Sequence, residues 1–363
     1  MRRLNDTIQR LNALRARQTS IPQGANRLTE LRDFGSNPGA LRAFCHTPAR
    51  LEENAALVVV LHGCTQDAAA YDRGSGWSEL ADEQGFSVLF PEQRRANNAN
   101  LCFNWFNRED TRRDGGEALS IRQMVAAMIA THRLDPARVF VTGLSAGGAM
   151  TSVMLATYPE VFAGGAIIAG LPYGTAESMP QALDRMRAQG GPSGAALGAL
   201  VTAASAHNGR WPSISIWHGT GDMTVSPTNA GLILEQWRRL HGVAEAPSET
   251  NAVDGHAHRL WRDAAGREVI EEYRIAGLGH GTPLSTLGSE ACGAPGPYML
   301  EAGISSTRHI ARFWGLMATE AAHAPLQVRE TARADASQPH KADTATGVGR
   351  IIEDALRAAG LMR

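Results

Sequence analysis

Residues 138–148 read Arg138-Val139-Phe140-Val141-Thr142-Gly143-Leu144-Ser145-Ala146-Gly147-Gly148, and their reading decides the fold. An apolar, β-branched run feeds straight into Gly143-Leu144-Ser145-Ala146-Gly147, and a helix-compatible segment, Ala149 to Ala156, follows at once. Strand, sharp turn and helix is the context in which G-x-S-x-G marks a nucleophile elbow. A serine in a strained turn needs small neighbours, because strand and helix backbones approach closely there. Its hydroxyl then stands beside a helix N-terminus, where free N–H groups and the helix dipole favour developing negative charge. The bare pentapeptide is equally compatible with an ordinary serine in a glycine-rich turn. The flanking strand and helix favour Ser145 as a nucleophile.

A nucleophilic serine needs a base, and the base an orienting carboxylate. In an α/β-hydrolase these follow in the order Ser, Asp or Glu, His, each in a loop just after a strand. Two downstream segments fit. Ser213 to Gly219 is strand-like and runs into Gly219-Thr220-Gly221-Asp222, which puts Asp222 in a turn at a strand end. Val269 to Ile275 is a second strand, followed by Gly277-Leu278-Gly279-His280-Gly281, where His280 is flanked by glycines. Asp254 and Asp263 are the nearest alternative carboxylates, but both fall in an expected hairpin.

Upstream, Ala56-Leu57-Val58-Val59-Val60-Leu61 is the most continuous apolar β run, as for a strand buried on both faces. It ends in His62-Gly63-Cys64-Thr65-Gln66. In this fold one oxyanion donor is the N–H after the nucleophile, here Ala146. The other comes from the loop after the early strand, here Cys64 N–H, with Thr65 as second choice. His62 precedes the nucleophile and belongs to that loop, so it is read as structural.

These segments resemble the poly(3-hydroxybutyrate) depolymerase family of esterases, which includes feruloyl and acetylxylan esterases. The resemblance rests on Leu61-His62-Gly63-Cys64-Thr65-Gln66, Gly76-Trp77-Ser78, Phe90-Pro91-Glu92-Gln93 and Cys102-Phe103-Asn104-Trp105-Phe106. It continues through Gly143 to Met150, Ala169-Gly170-Leu171-Pro172-Tyr173, Trp217-His218-Gly219-Thr220 and Gly279-His280-Gly281-Thr282-Pro283. It spans about residues 25 to 317. It implies an α/β-hydrolase fold, ester hydrolysis, a triad on Ser145, Asp222 and His280, and Trp105 and Tyr173 near the acyl site; Thr65, in the loop after the early strand, is a further substrate-binding candidate.

The expected fold class is therefore α/β: an α/β-hydrolase with a doubly wound, mostly parallel sheet and a small cap insertion. The catalytic domain is expected over residues 25–320. Its helices and strands include Phe86 to Phe90, ended by Pro91, Glu117 to His132 with its methionines in the core, and Ala163 to Ala169. Residues 171–212 break the alternation and read as the cap, with a helix over Glu177 to Arg187. A hairpin is expected over Asp254 to Asp263, and a closing helix from Tyr298 to Leu316. Residues 1–24 carry Leu4, Ile8, Leu11 and Leu14 at helical spacing, as for an amphipathic lead-in helix. Residues 321–363 read as a polar linker with a short terminal helix.

Composition adds exclusions. The 363 residues are 43% hydrophobic, ample for a core, and the net charge of −1 gives no reason to expect nucleic acid. No apolar run approaches the ~18 residues of a membrane span. The N-terminus lacks an apolar h-region, so a cleavable signal is not expected and a cytoplasmic location is favoured, an extracellular one following from the family resemblance. Of the four cysteines, Cys64 and Cys102 fall near the expected site rim, where a bridge and two free thiols are both open readings. No cofactor and no metal are expected. The expected partner is a small or polymeric ester, hydrolysed in two acyl-transfer steps. A feruloyl- or acetylxylan-type esterase, and an acyltransferase using the same triad, are the alternatives. No separate polymer-binding domain or Ser/Thr-rich linker is visible, which favours soluble oligomers or short esters over crystalline granules.

Overall fold

The apolar strand runs assemble as expected for segments buried on both faces. The computed structural model describes residues 27–317. The lead-in helix expected over residues 1–24 and the linker and terminal helix expected over 321–363 lie outside the described residues. In chain order the strands are β1 (Thr29–Glu30), β2 (Arg42–His46), β3 (Leu57–Leu61), β4 (Ser87–Glu92), β5 (Val139–Leu144), β6 (Gly164–Ile168) and β7 (Ser213–Gly219). They continue with β8 (Glu249–Val253), β9 (His256–Arg262), β10 (Glu268–Ile275), β11 (Thr282–Leu284) and β12 (Met299–Glu301). The helices are α1 (Ala68–Ser75), α2 (Trp77–Gln84), α3 (Arg108–Thr111), α4 (Gly116–His132) and α5 (Ala146–Thr157). After them come α6 (Met179–Met186), α7 (Ala195–Ala204), α8 (Thr228–His241) and α9 (Ser306–Phe313).

Ten strands form one sheet in the order β1-β2-β4-β3-β5-β6-β7-β10-β9-β8. The six from β4 to β10 run parallel. Antiparallel strands close both edges, β2 and β1 on one side, β9 and β8 on the other. Alternate residues of β3 serve the two layers. Leu57, Val59 and Leu61 pack with Ile121, Met124, Val125 and Met128 of α4, Met150 and Met154 of α5, and Ile233 and Trp237 of α8. Val58 and Val60 face the opposite layer, with Tyr71, Trp77, Leu80, Ile310 and Trp314. Burying each such large side chain contributes about 1.5–3 kcal/mol, which sets the sheet rigidly between its layers. This is the α/β-hydrolase fold, and the methionines of α4 are core.

Several boundaries depart from the sequence expectations. Pro91 does not end its strand but sits inside β4, opposite Ala43. Pairing with β3 has stopped at Leu89, so no ladder bond is asked of the proline nitrogen. The hairpin before β10 turns at Asp254-Gly255 and begins earlier than expected, because β8 supplies its first arm. The helix expected from Tyr298 is shorter. Met299–Glu301 pairs in parallel with Thr282–Leu284, and α9 starts only after Ser305, whose hydroxyl accepts from Arg308 N–H. In the 171–212 insertion, α6 lines the pocket described below, whereas α7 packs through Leu197 and Val201 beside α8.

Gly147 is where helix and sheet meet most closely: a Cβ there would run into the backbone oxygens of Leu61 and His62. Gly231, inside α8, has nothing within 4 Å of such an atom. Gly147→Ala should therefore cost about 3 kcal/mol or more, since backbone cannot give way as a side chain would. Gly231→Ala should stabilise by about 0.5–1 kcal/mol. Chemical denaturation of both variants checks the pair, and a Gly147→Ala protein as stable as wild type would contradict the packing described.

Candidate active site

The centre of the site is built by the end of β5 and the start of α5. Ser145 lies between them at φ 58° and ψ −116°, a left-handed conformation that costs a non-glycine residue on the order of 1–3 kcal/mol. Surrounding bonds hold it there. Its N–H donates to Ile168 O at 2.9 Å, and its own carbonyl accepts from Ala149 N–H at 2.8 Å.

The two downstream loops arrive from neighbouring strands. Strand β7 ends at Gly219 and its turn carries Asp222, while β10, paired in parallel with β7, ends at Ile275 and leads to His280. The structure brings Ser145, His280 and Asp222 into one hydrogen-bonded line. Ser145 Oγ is 2.8 Å from His280 Nε2, and His280 Nδ1 is 2.7 Å from Asp222 Oδ2. The other carboxylate oxygen, Oδ1, accepts from Thr224 N–H at 2.8 Å and Val225 N–H at 2.9 Å. Burial alone would raise the Asp222 carboxyl. Hydrogen bonds from His218 and His280, the His280 charge and Val225 N–H outweigh it and hold the group far below the usual carboxylate range. The rival carboxylates are engaged elsewhere, Asp254 with His309 and Asp263 with Arg267.

Beside Ser145 runs the loop after β3. Gly63 N–H donates to Gln66 Oε1 at 2.9 Å, and Thr65 N–H donates to Asn100 O at 2.7 Å. Among the described residues no protein acceptor takes the Cys64 N–H between them, nor the Ala146 N–H at the start of α5. The choice between Cys64 and Thr65 as a free donor is thereby narrowed to Cys64. Cys64 and Cys102 are bridged, whereas Cys45 and Cys292 are buried free thiols.

The loop is also braced from behind. His62 is fully buried, Nδ1 donating to Gly63 O at 2.8 Å and Nε2 accepting from Gln93 N–H at 3.1 Å. Burial lowers this imidazole to about 4, against the opposing pull of the Gly63 carbonyl, so it stays neutral and structural. The Gln93 side chain donates in turn to Glu117 Oε1 at 2.5 Å, and Asn104 supplies two more donors to the same carboxylate. Burial pushes Glu117 up to about 8. One buried carboxylate thus ties the loop that follows β4 to the segment bearing Cys102 and Trp105.

Ser145 opens into a cavity of about 330 Å³. Leu144, Leu171, Val225, Trp105 and Phe106 give it an apolar lining, and Ala182, Leu183 and Met186 of α6 form one wall. Thr65 and Trp105 lie on this cavity, as expected. Tyr173 does not: it lines a separate cleft with Arg108, Arg112 and Leu200. Its backbone is pinned there by Gln236, which accepts from Tyr173 N–H and donates to Tyr173 O. Tyr298, which the sequence does not single out, borders the cavity with its ring edge-on to His280 at 6.1 Å. His218 and Glu117 are likewise absent from the sequence expectations. The signal for Glu117 is a charged residue on an otherwise apolar helix face, and for His218 its place in Trp217-His218-Gly219-Thr220 at a strand end, neither of which names a partner. No group of His, Cys, Asp or Glu among the described residues is arranged to hold a metal ion, and no described helix is long and apolar enough to cross a membrane.

Known proteins resemble this chain over most of its length. The family model described as esterase PHB depolymerase matches residues 42–259. The chain is 48% identical to poly(3-hydroxyalkanoate) depolymerase C of Paucimonas lemoignei over 292 residues, 80% of this chain and 70% of the other. It is 32% identical to an acetylxylan esterase of Coprinopsis cinerea, over 73% of this chain and 71% of that one. Among solved structures, the acetyl xylan esterase from Aspergillus awamori superposes with a TM-score of 0.67 at 25% identity, covering 80% of this chain and 99% of its own. The chain belongs to the esterase PHB depolymerase family and is a carboxylic ester hydrolase.

Proposed function

We propose that Ser145, His280 and Asp222 form the catalytic triad, that Cys64 and Ala146 N–H groups form the oxyanion hole, and that the substrates are hydroxyalkanoate oligomers or related polyesters. The observation that carries the reading is the Asp222–His280–Ser145 line, at 2.7 and 2.8 Å, opening on an apolar cavity. His280 Nε2 takes the Ser145 proton as Oγ attacks the ester carbonyl. Asp222, held anionic by its donors, fixes the Nδ1–H tautomer and stabilises the imidazolium. The carbonyl oxygen, now negative, is received by the two unspent N–H groups; one such donor is worth roughly 3–4 kcal/mol in the transition state. His280 then protonates the leaving alcohol, the acyl–Ser145 ester remains, and His280 activates water to release the acid.

The substrate class rests on the cavity and on the relatives. Thr65 and Trp105 line the cavity into which Ser145 opens, while α6 and Leu171 offer an apolar face to an acyl or alkyl group. The relative from Paucimonas lemoignei is named for hydroxyalkanoate polymers, and the fungal relatives are named for esters of xylan or ferulate. The higher identity of the former favours the hydroxyalkanoate reading. The Cys64–Cys102 bridge favours an oxidising compartment over the cytoplasm, since disulfides are reduced in the latter.

Ser145→Ala should lose several orders of magnitude in kcat while keeping its far-UV spectrum and melting temperature, and a fluorophosphonate probe should label only the wild type. Asp222→Asn should cost on the order of 10⁴ in kcat through the wrong imidazole tautomer. Either variant retaining more than a few per cent of activity would remove its residue from the assignment. Hydroxybutyrate oligomers should be hydrolysed with higher kcat/KM than methyl ferulate. The reverse order would overturn the substrate class and leave the triad standing.

The brace behind the oxyanion loop gives a pH dependence. The folded pKa of His62, at about 4, lies below its ordinary 6.5. The unfolded chain therefore binds this proton first, so the stabilisation is present above pH 6.5 and is lost as pH falls through about 4. Over that window the stability advantage of the wild type over His62→Gln should shrink by about 3 kcal/mol. Denaturation curves at several pH values measure it, and parallel pH profiles for the two proteins would contradict the brace.

A further inference from the structure

The carboxylate of Asp222 has a second histidine on it. His218 is the penultimate residue of β7, 3% exposed, with its Nε2 3.3 Å from Asp222 Oδ2 and 2.9 Å from Val225 O. Oδ2 is thus shared between His280 Nδ1 and His218 Nε2, while Oδ1 takes the two backbone N–H groups of Thr224 and Val225. Three donors hydrogen-bond this carboxylate, and the His218 ring lies against it as a fourth polar neighbour.

The protonation of His218 follows from its surroundings. Its Nδ1 is buried and has no partner among the described residues. Its Nε2 faces two acceptors, a carbonyl and a carboxylate, so a lone pair there would meet two lone pairs. The proton of a neutral ring therefore sits on Nε2 and is donated to Val225 O at 2.9 Å, with Asp222 Oδ2 3.3 Å from the same nitrogen as an electrostatic neighbour. Leaving Nδ1 buried and unpaired carries a desolvation cost that an apolar space-filling residue at this position would avoid.

Resting on the triad reading above, we propose that His218 is a positioning residue for the reaction: it locks the Asp222 carboxylate and the 222–225 turn against the end of β7, so that Oδ2 stays aimed at His280. Its Nε2–H, given to Val225 O, keeps a positive ring edge 3.3 Å from Asp222 Oδ2. Through Val225 O it also ties down the turn whose Thr224 and Val225 line the substrate cavity. A hydrogen bond to a charged group is worth about 1.5–3 kcal/mol, or ~10- to 100-fold in rate where it acts on the transition state.

The test uses the full chain and a short p-nitrophenyl ester. His218→Leu should lower kcat by ~10- to 100-fold with KM changed less than about twofold. His218→Gln should recover most of the rate, because its terminal amide reaches the place of Nε2. His218→Asn should not, because its amide reaches only the place of Nδ1. If the leucine variant does not fold, the contrast between Gln and Asn carries the test alone. Combined with Asp222→Asn, loss of His218 should cost almost nothing further, since residues acting through one another are not additive. A histidine that merely fills the core would lower all the substitutions alike, shift melting more than kcat, and add its full penalty in the double variant; any of these overturns the proposal. If Asp222→Asn alone is near wild type, it is the triad reading that fails, and the two failures are thereby told apart.

Discussion

The close approach of α5 to the end of β3 is the constraint on which the site depends. With glycine at 147, the helix start can lie directly against the carbonyls of Leu61 and His62. Gly143 acts in the same way at the end of β5, where a Cβ would meet Gly147 C and O at 2.5 Å. That contact throws Ser145 into its positive-φ turn and sets the loop after β3 beside it. Two chain segments distant in sequence thus lie side by side, each with an N–H group that no protein acceptor takes among the described residues. Backbone donors held this way need no reorganisation when charge develops, which makes such preorganisation effective.

The parallel order of the sheet supplies the rest. Strands β5, β6, β7 and β10 are neighbours with their carboxyl ends along one edge, so residues distant in sequence converge there. Ile168 O at the end of β6 holds Ser145 N–H, and the turns after β7 and β10 deliver the carboxylate and the imidazole. Gly219 and Gly221 let those two turns lie against each other: a Cβ at Gly221 would meet Gly277 O at 2.9 Å. The distance between Asp222 and His280 is therefore a consequence of strand pairing, with Trp217 stacked on Tyr273 at 3.8 Å to keep the pair in register.

What is legible in the sequence is local. Ser145, Asp222 and His280 each follow a strand-like run in a glycine-rich loop, and chain order alone suggests how they meet. Cys64 is legible for the same reason, but its bond to Cys102 is not, because the distance between two loops is written in neither. Tyr173 fails as a pocket residue because its place is decided by Gln236 on a helix 63 residues away, whose amide captures its backbone. Tyr298 reads as helical because nothing in its neighbourhood announces that Met299–Glu301 will pair with Thr282–Leu284. Strand pairing across a loop is a non-local fact. His218 and Glu117 escape notice because a single polar residue in an apolar stretch carries no indication of its partner.

These less legible residues share a physical role that explains why they resist detection. Glu117 receives three donors and His218 gives to Val225 O beside Asp222, each fully or nearly fully buried, behind groups that face the cavity. A strained serine, a free pair of N–H groups and a fixed carboxylate are all states the isolated chain would relax. They persist only where the surroundings over-determine them. Burying a polar side chain is costly unless its partners are in place, so polar residues behind the site fix geometry more sharply than apolar packing would. The loop after β3 is held by His62, Gln66, Gln93 and the Cys64–Cys102 bridge, and the turn after β7 by His218 and two backbone donors. The cavity lining also includes the exposed Met179, Leu183 and Tyr298. Buried polar contacts are thus concentrated behind Ser145 and Asp222, and exposed apolar side chains at the cavity rim.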